Sequence, residues 1–286
     1  METAVKDRSV TGKFLKICGV VFLLAMIVFS VYPIIYTVFG SLKTNAELTS
    51  GGSFLPKEWQ FKNYYQAFVQ GDFIKYTWNS VILAVSTTAL AVATCALAGF
   101  VFARKEFVGK KLILGLYTAM MFISLGSVTL YPIYQLLQKL GLNKSMIGLI
   151  IALTGGQAVN VLLVMGFVKG IPKELDEAAV IDGCTVIGVF GRVLLPLMKP
   201  ILAVVALFVF RNTWNDYITT LIMTISNRKL QTLTVAVVQL KYSVNAAAEW
   251  HIMLAGASIA IIPILIVYLL CNKQFIAGLT AGAVKG

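Results

Sequence analysis

Six long apolar runs constrain this chain more than any other feature. Each reaches the roughly 20 residues that a helix needs to cross a hydrocarbon core about 30 Å thick. Because a bilayer core cannot satisfy backbone polar groups, runs of this kind fold as membrane-spanning helices. The sequence therefore predicts an all-α polytopic membrane protein, with a single transmembrane domain over residues 1–286. The predicted spans are Ile17 to Phe39, Trp78 to Phe102, Leu112 to Leu137, Met146 to Val168, Leu197 to Met223 and Ile252 to Leu270.

The composition excludes the other broad classes. The chain is 58% hydrophobic and 13% charged, whereas a soluble domain is about 25% charged. A net charge of +12 could indicate nucleic-acid binding, but the lysines and arginines form short clusters between apolar runs instead of one aromatic-rich patch. Such clusters are typical of the residues that determine membrane topology, and no nucleic-acid partner is expected.

The cations also predict the orientation of the spans. With the N-terminus inside, the inner segments hold fourteen lysines and arginines and the outer segments nine, while Arg211 falls within a span. Four cations lie between Arg104 and Lys111, which places that loop in the cytoplasm. Both termini, and the segment between the fourth and fifth spans, are then predicted to be cytoplasmic. We expect the protein in a bacterial cytoplasmic (inner) membrane.

The outer segments, the histidine and the cysteines are predicted to have structural roles and not catalytic ones. Gly40 to Thr77 and Thr224 to Trp250 form the long outer segments, and the only histidine, His251, is interpreted as an interface residue. The four cysteines are widely spaced and are expected to be buried, inert thiols without a disulfide framework. No metal site is predicted.

A polar insert, residues 169–196, separates the fourth and fifth spans. Pro172 suits a helix start, and Glu174, Asp176 and Glu177 place negative charge in the first turns, where the helix dipole favours it. Gly183 is a natural helix stop. After it, apolar residues recur at helical spacing up to Pro196, which is expected to end a second short helix. The insert is therefore predicted to form two short helices at an angle, facing the cytosol.

The insert carries a motif that resembles a known family. E-A-A, three residues, G, nine residues, a β-branched aliphatic residue, one residue and L-P is similar to the signature of permease subunits of binding-protein-dependent ABC importers. Val193 stands where isoleucine is commoner. The motif residues are Glu177, Ala178, Ala179, Gly183, Val193, Leu195 and Pro196. Further likeness to the carbohydrate-uptake branch, and to its smaller, maltose-type subunit, comes from Asp182, Lys199-Pro200, Trp214-Asn215 and the ending Gly278 to Gly286.

The resemblance implies a mechanism and a set of partners. The insert would be a coupling helix that docks in a cleft of a cytosolic ABC ATPase dimer, through Glu177, Ala178, Ala179, Asp182, Gly183, Val193, Leu195 and Pro196. The other implied partners are a second six-span permease subunit, an extracellular or periplasmic solute-binding protein and a sugar. This chain would bind no cofactor, since ATP and Mg²⁺ would belong to the partner ATPase. Consistently, the sequence holds no G-x-x-x-x-G-K-[ST] phosphate-binding loop.

Polar residues within the fourth and fifth spans are candidates for a translocation path. Such groups are costly in hydrocarbon and usually face a cavity or a partner helix. Arg211 lies about 18 Å from Lys199 along the helix, near mid-membrane. Contact with the second subunit is the alternative role. The candidates are Gln157, Asn160, Arg211, Asn212, Trp214, Asn215, Asp216 and Tyr217.

Two other functions remain open at this level. A secondary active transporter working without an ATPase would show inverted repeats or broken intramembrane helices, and no internal symmetry is evident. A polytopic enzyme would need catalytic side chains grouped at one membrane face, and none stand out. The sequence favours a non-catalytic transport subunit.

Overall fold

The computed structural model describes residues 10–51, 53–122, 126–242 and 248–283. Within these ranges, only the backbone is described for residues 10–14, 242 and 270–283. All regular secondary structure in these ranges is helical, in agreement with the predicted all-α class. The chain divides into two compact units, one comprising Met1–Gly71 with Gln239–Ile259 and the other Asp72–Val238 with Ala260–Gly286. The single permease domain over 1–286 stays a prediction.

The first unit contains a long apolar helix followed by a folded polar loop. Its helices are α1 (Val10–Ser41), α2 (Asn45–Thr49), α3 (Lys62–Gln70) and the first part of α14 (Trp250–Ala283). The buried Asn63 donates through Nδ2 to the carbonyls of Ser41 and Lys43, at 2.8 Å each. Asn45 donates to the Ala248 carbonyl at 2.8 Å. These amides satisfy backbone groups that the irregular loop leaves unpaired.

The second unit is built around α4 (Phe73–Arg104). Its remaining helices are α5 (Lys110–Phe122), α6 (Leu130–Lys139), α7 (Met146–Thr154), α8 (Ala158–Lys169), α9 (Glu174–Ile181), α10 (Val186–Leu197), α11 (Lys199–Trp214), α12 (Ile218–Thr224), α13 (Leu233–Gln239) and the rest of α14. Helix α4 packs against α7, α8 and α11. Its small residues Ala91, Cys95 and Gly99 lie at four-residue spacing in buried positions, which lets the neighbouring backbones approach closely.

The long apolar helices agree with only part of the predicted span plan. Three described helices are long and apolar enough to cross a membrane: Leu15–Ser41, Phe73–Arg104 and Trp250–Leu269. Two bent pairs pass the same test together, which gives up to five spans. The predicted span Leu112 to Leu137 includes residues 123–125, which lie outside the described ranges, so the count of six stays a prediction.

Two spans predicted as continuous helices are in fact broken. The fourth consists of α7 and α8, bent by 56° at the Gly155-Gly156 pair, where Gly156 has a φ of +71°. In the range predicted as the fifth, α11 ends at Trp214 and a separate helix, α12, begins at Ile218, while α11 meets α10 at 76°. Asp216 lies in the break between α11 and α12, and its carboxylate accepts from the backbone N–H of Thr220 in the first turn of α12.

Candidate functional site

The insert forms the two predicted short helices. Helix α9 carries Glu174, Asp176 and Glu177 in its first turn and ends before a glycine turn. Gly183 has a φ of +81°, a conformation that residues with a side chain rarely adopt. Its role as the stop of the first helix is therefore confirmed.

The second helix of the insert, α10, begins at a threonine cap and contains a widened middle. The Thr185 hydroxyl accepts from the Gly188 N–H at 3.2 Å, and Val189–Leu194 is π-helical. Pro196 lies in the last turn and not at the end, since the helix continues to Leu197. A proline is tolerated there because it removes only one bond of the helical ladder beside a turn that is already irregular.

The two helices of the insert share a buried face and an exposed apolar edge. Ala179, Val189 and Leu194 are buried in the core of the second unit. By contrast, Ile181 is 85% and Ile187 81% exposed, on either side of the Gly183 turn. Exposed apolar side chains on a polar segment outside the predicted spans make this edge a candidate interaction surface. The exposed edge is defined as Val180, Ile181, Val186 and Ile187.

The predicted coupling residues divide between these two surfaces. Ala179 is buried and Val193 half-buried, so both support the insert from inside. The exposed members are Glu177, Ala178, Asp182, Gly183, Leu195 and Pro196. Apolar side chains facing the cytosol are predicted for the insert, but its helical spacing does not by itself distinguish the exposed Ile187 from the buried Leu194.

A buried ion pair joins the insert to α4. Arg104, the last residue of α4, places Nε 2.6 Å from Oδ2 of Asp176, and the two side chains are 5% and 19% exposed. Nη2 of Arg104 also donates to the Ile171 carbonyl at 2.8 Å. The pair cannot be predicted from the sequence, because the two residues belong to different segments and no local pattern links them.

A neighbouring ion pair joins an exposed carboxylate, on Glu106, to a largely covered lysine side chain, on Lys110. Nζ of Lys110 donates to Oε1 of Glu106 at 2.7 Å, on the loop that follows α4. This hydrogen bond lowers the pKa of Glu106, whose carboxylate is fully exposed to solvent.

Three of the predicted path residues line one cavity. Gln157, Asn160 and Asn212 surround a space of about 420 Å³. Asn160 donates through Nδ2 to Oε1 of Gln157 at 2.6 Å. The other lining residues are Leu153, Gly155, Gly156, Val159 and Phe208. The glycine break in the fourth span therefore forms one wall of a mixed polar and apolar cavity.

Three others line a separate, more open cavity of about 570 Å³. Asn215, Asp216 and Tyr217 face residues of the Gly126 to Leu130 segment there. Asn215 donates to the Arg211 carbonyl at 2.9 Å, and Asp216 accepts from Thr220. The side chains of Asn215 and Asp216 thus also stabilise the break between α11 and α12.

Trp214 and Arg211 lie elsewhere. Trp214 is 3% exposed, stacks on Phe210 and directs its indole N–H toward the Ala260 carbonyl at 3.4 Å. It lines neither of the two cavities, so the structure gives it a packing role. Arg211 is exposed and also lies outside the lining of both.

The cysteines and the histidine offer no metal site within the described ranges. Cys95 is buried as expected, but Cys18 is exposed and Cys184 half-buried. Cys18 lies on α1, whose apolar side chains from Leu15 to Phe29 are exposed in this chain. Cys271 falls outside the described side chains. His251 is half-buried at the start of α14.

Comparison with known proteins gives consistent relatives over almost the whole chain. The chain is 32% identical to the probable ABC transporter permease protein YurM of Bacillus subtilis, over 93% of this chain and 87% of that protein. It is 33% identical to the sulfoquinovosyl glycerol transport system permease protein SmoH of Agrobacterium fabrum, over 91% of each. It is 30% identical to the maltodextrin transport system permease protein MdxG of Bacillus subtilis, over 95% and 96%.

A solved structure shares the fold. It belongs to a bacterial ABC transporter involved in the import of the acidic polysaccharide alginate, with a TM-score of 0.80 at 22% identity, covering 93% of this chain and 98% of that one. A family model, the binding-protein-dependent transport system inner membrane component, matches residues 95–277, which include the insert and both cavities. The chain belongs to this family of ABC transporter permeases, as its motif predicted.

Proposed function

We propose that this chain is one of two membrane-spanning permease subunits of an ATP-driven sugar importer. The observation that carries the proposal is the insert: a glycine turn, an acidic first helix and an exposed apolar edge on a chain of this family. Such an edge fits a cleft on a cytosolic partner, because apolar side chains gain by leaving water. ATP and Mg²⁺ belong to that partner, an ABC ATPase dimer, and this chain performs no catalysis.

The topology completes the proposal. Six spans, with both termini and the insert in the cytoplasm, agree with the concentration of cations between Arg104 and Lys111. The exposed apolar surface of α1 is then covered by lipid or by the second permease subunit. A solute-binding protein on the opposite side delivers the substrate.

The substrate is proposed to be a sugar or oligosaccharide. Relatives at 30–33% identity carry names of maltodextrin and sulfoquinovosyl glycerol transport systems. The cavity lined by Gln157, Asn160 and Asn212 supports this choice, since amides both donate to and accept from hydroxyl groups. Phe208 adds an apolar surface for a sugar ring.

Docking of the ATPase can be tested on the exposed edge. Ile187→Asp places a charge where an apolar contact is expected, so the ATPase should no longer co-purify from detergent-solubilised membranes. Val108→Asp is the matched control, because Val108 is fully exposed on the loop after α4, outside the insert. Equal ATPase recovery with both variants would reject the insert as the docking site.

The path residues need a transport assay. Asn160→Leu removes the amide that meets Gln157 and should reduce sugar uptake several-fold at unchanged protein level. Gln138→Leu, an exposed amide outside both cavities, serves as the control. Unchanged uptake kinetics in Asn160→Leu would remove this cavity from the path.

A secondary transporter is the alternative, and one observation favours it: the bent pair α7 and α8 is a discontinuous span of the kind found in such proteins. Uptake by this chain and its permease partner in proteoliposomes without an ATPase would support it. We expect no sugar uptake in proteoliposomes that lack ATP and the ATPase.

A further inference from the structure

We propose that the ion pair between Arg104 and Asp176 is the link through which movement of the insert is passed to α4. Both residues are positioning residues, since neither contacts sugar or nucleotide. The inference rests on the proposed function, in which an ATPase moves the insert. It concerns a different step, the transfer of that movement into the membrane.

The geometry ties the two elements at more than one point. Through Nε and Nη2, Arg104 contacts both Asp176 in the first turn of α9 and the Ile171 carbonyl that precedes it. One turn earlier on α4, the ring of Phe100 lies 5.1 Å from that of Phe190 in α10. Residues four apart share a helix face, so one face of α4 holds both helices of the insert.

The charges suit their positions. Arg104 ends α4, where the helix dipole favours a cation, and Asp176 lies in the first turn of α9, where it favours an anion. Their burial excludes water, which strengthens the attraction between them.

The pair is nevertheless an incomplete network. Within the described part of the chain, Nε of Arg104 has no well-directed hydrogen bond and Oδ1 of Asp176 has no hydrogen-bond partner. Buried pairs of this kind are often replaceable by apolar residues without loss of stability. Its contribution is therefore better sought in fixing the position of α9 against α4 than in stability.

Helix α4 is placed to carry the movement further. It packs along α8 and α11, the two helices that supply Asn160 and Asn212 to the cavity. A displacement of the insert thus reaches the cavity through one helix. Close-packed helices transmit displacement because their interiors are nearly incompressible.

The test uses the complete transporter in proteoliposomes, with ATP hydrolysis and sugar uptake measured on the same preparation. Asp176→Asn removes the charge with little change in shape and leaves the Arg104 contact to Ile171. We expect the ATPase to remain bound and active, while uptake per ATP hydrolysed falls about two- to thirtyfold, the range found for residues that couple distant sites. Glu106→Gln, which breaks the exposed pair with Lys110, is the control and should leave this ratio unchanged.

The possible results distinguish failure of the proposed link from failure of the proposed function. An unchanged ratio in Asp176→Asn, or an equal fall in Glu106→Gln, overturns the link. Loss of the ATPase from Asp176→Asn alone also overturns it, because Asp176 then belongs to the docking surface. Failure of the ATPase to associate with the unmodified chain refutes the proposed function itself. If Asp176→Asn does not accumulate, uptake per ATP hydrolysed is measured on Arg104→Lys, which keeps the charge but loses the planar guanidinium. A fall in this ratio supports the link, and an unchanged ratio overturns it.

Discussion

The close approach of α4 and α8 at Gly99 makes a strong prediction about stability. A Cβ atom added at Gly99 would lie 2.5 Å from Cγ1 and 2.8 Å from Cβ of Val164, and 3.1 Å from the backbone nitrogen of Met165. Val164 is completely buried, so its side chain has no free space to enter. Gly99→Ala therefore forces the two helices apart.

The magnitude follows from two opposing effects. Inserting a methyl group into a packed interior costs about 1–3 kcal/mol. Alanine is favoured over glycine within a helix by roughly 0.5–1 kcal/mol. The difference is a net loss in the free energy of unfolding of about 0–2.5 kcal/mol, and the two contacts below 3.0 Å place it in the upper part of that range, at about 1–2.5 kcal/mol. At about 2–4 °C per kcal/mol for chains approaching this size, Tm should fall by about 2–10 °C.

The measurement is thermal unfolding of the purified chain in detergent. Gly166→Ala is the matched control, because Gly166 lies on α8 with nothing within 4 Å of an added Cβ, so its Tm should stay level or rise slightly. The double variant Gly99→Ala/Val164→Ala should recover part of the lost Tm, because removal of the Val164 methyl groups makes room for the added Cβ. A Gly99→Ala chain that melts at or above the Gly166→Ala chain would show that the helices are not packed at this distance.

Three further changes test other parts of the fold. Gly183→Ala should lower the free energy of unfolding by about 1–2 kcal/mol, because Gly183 has a φ of +81°. Gly183→Asn should lower it by less, since asparagine adopts this conformation more readily, and denaturant unfolding of the two variants measures the difference. Gly148→Ala should be more harmful than Gly99→Ala in the same Tm assay, since the added Cβ would lie 2.1 Å from the backbone oxygen of Leu142, which cannot rotate away. Ser80→Ala leaves the Leu233 N–H without the buried hydroxyl that accepts it at 2.8 Å, which should cost about 1–3 kcal/mol; a loss below 0.5 kcal/mol would indicate that water replaces the bond.

The features that sequence predicted well are set by local chemistry. Long apolar runs indicate helices because a helix satisfies its backbone polar groups within the same segment, as lipid requires. The first helix of the insert could be predicted equally well. Pro172, the acids of α9 and Gly183 affect only the one or two helical turns next to them. The family motif added an expectation of the partner class, which no local rule supplies.

The features that sequence missed depend on distant contacts or on single dihedral angles. A glycine pair inside an apolar run does not by itself distinguish a continuous helix from one bent by 56° at Gly155-Gly156. The sequence places Trp214 among polar neighbours, but its side chain is buried and directs its indole N–H toward the carbonyl of Ala260, which follows it by 46 residues. The contact between Arg104 and Asp176 likewise arises from tertiary packing.

The bend between α7 and α8 has a consequence for the resting transporter. Backbone groups at the start of a helix lack intrahelical partners, and within the described ranges the Gln157 side chain does not cap α8. Irregular backbone at membrane depth is tolerated only inside protein or beside water, and this stretch lines an open cavity. If this recess faces water in the assembled transporter, it stays hydrated even when no cargo is present, and the barrier against ion leakage must then lie at a different level of the assembly.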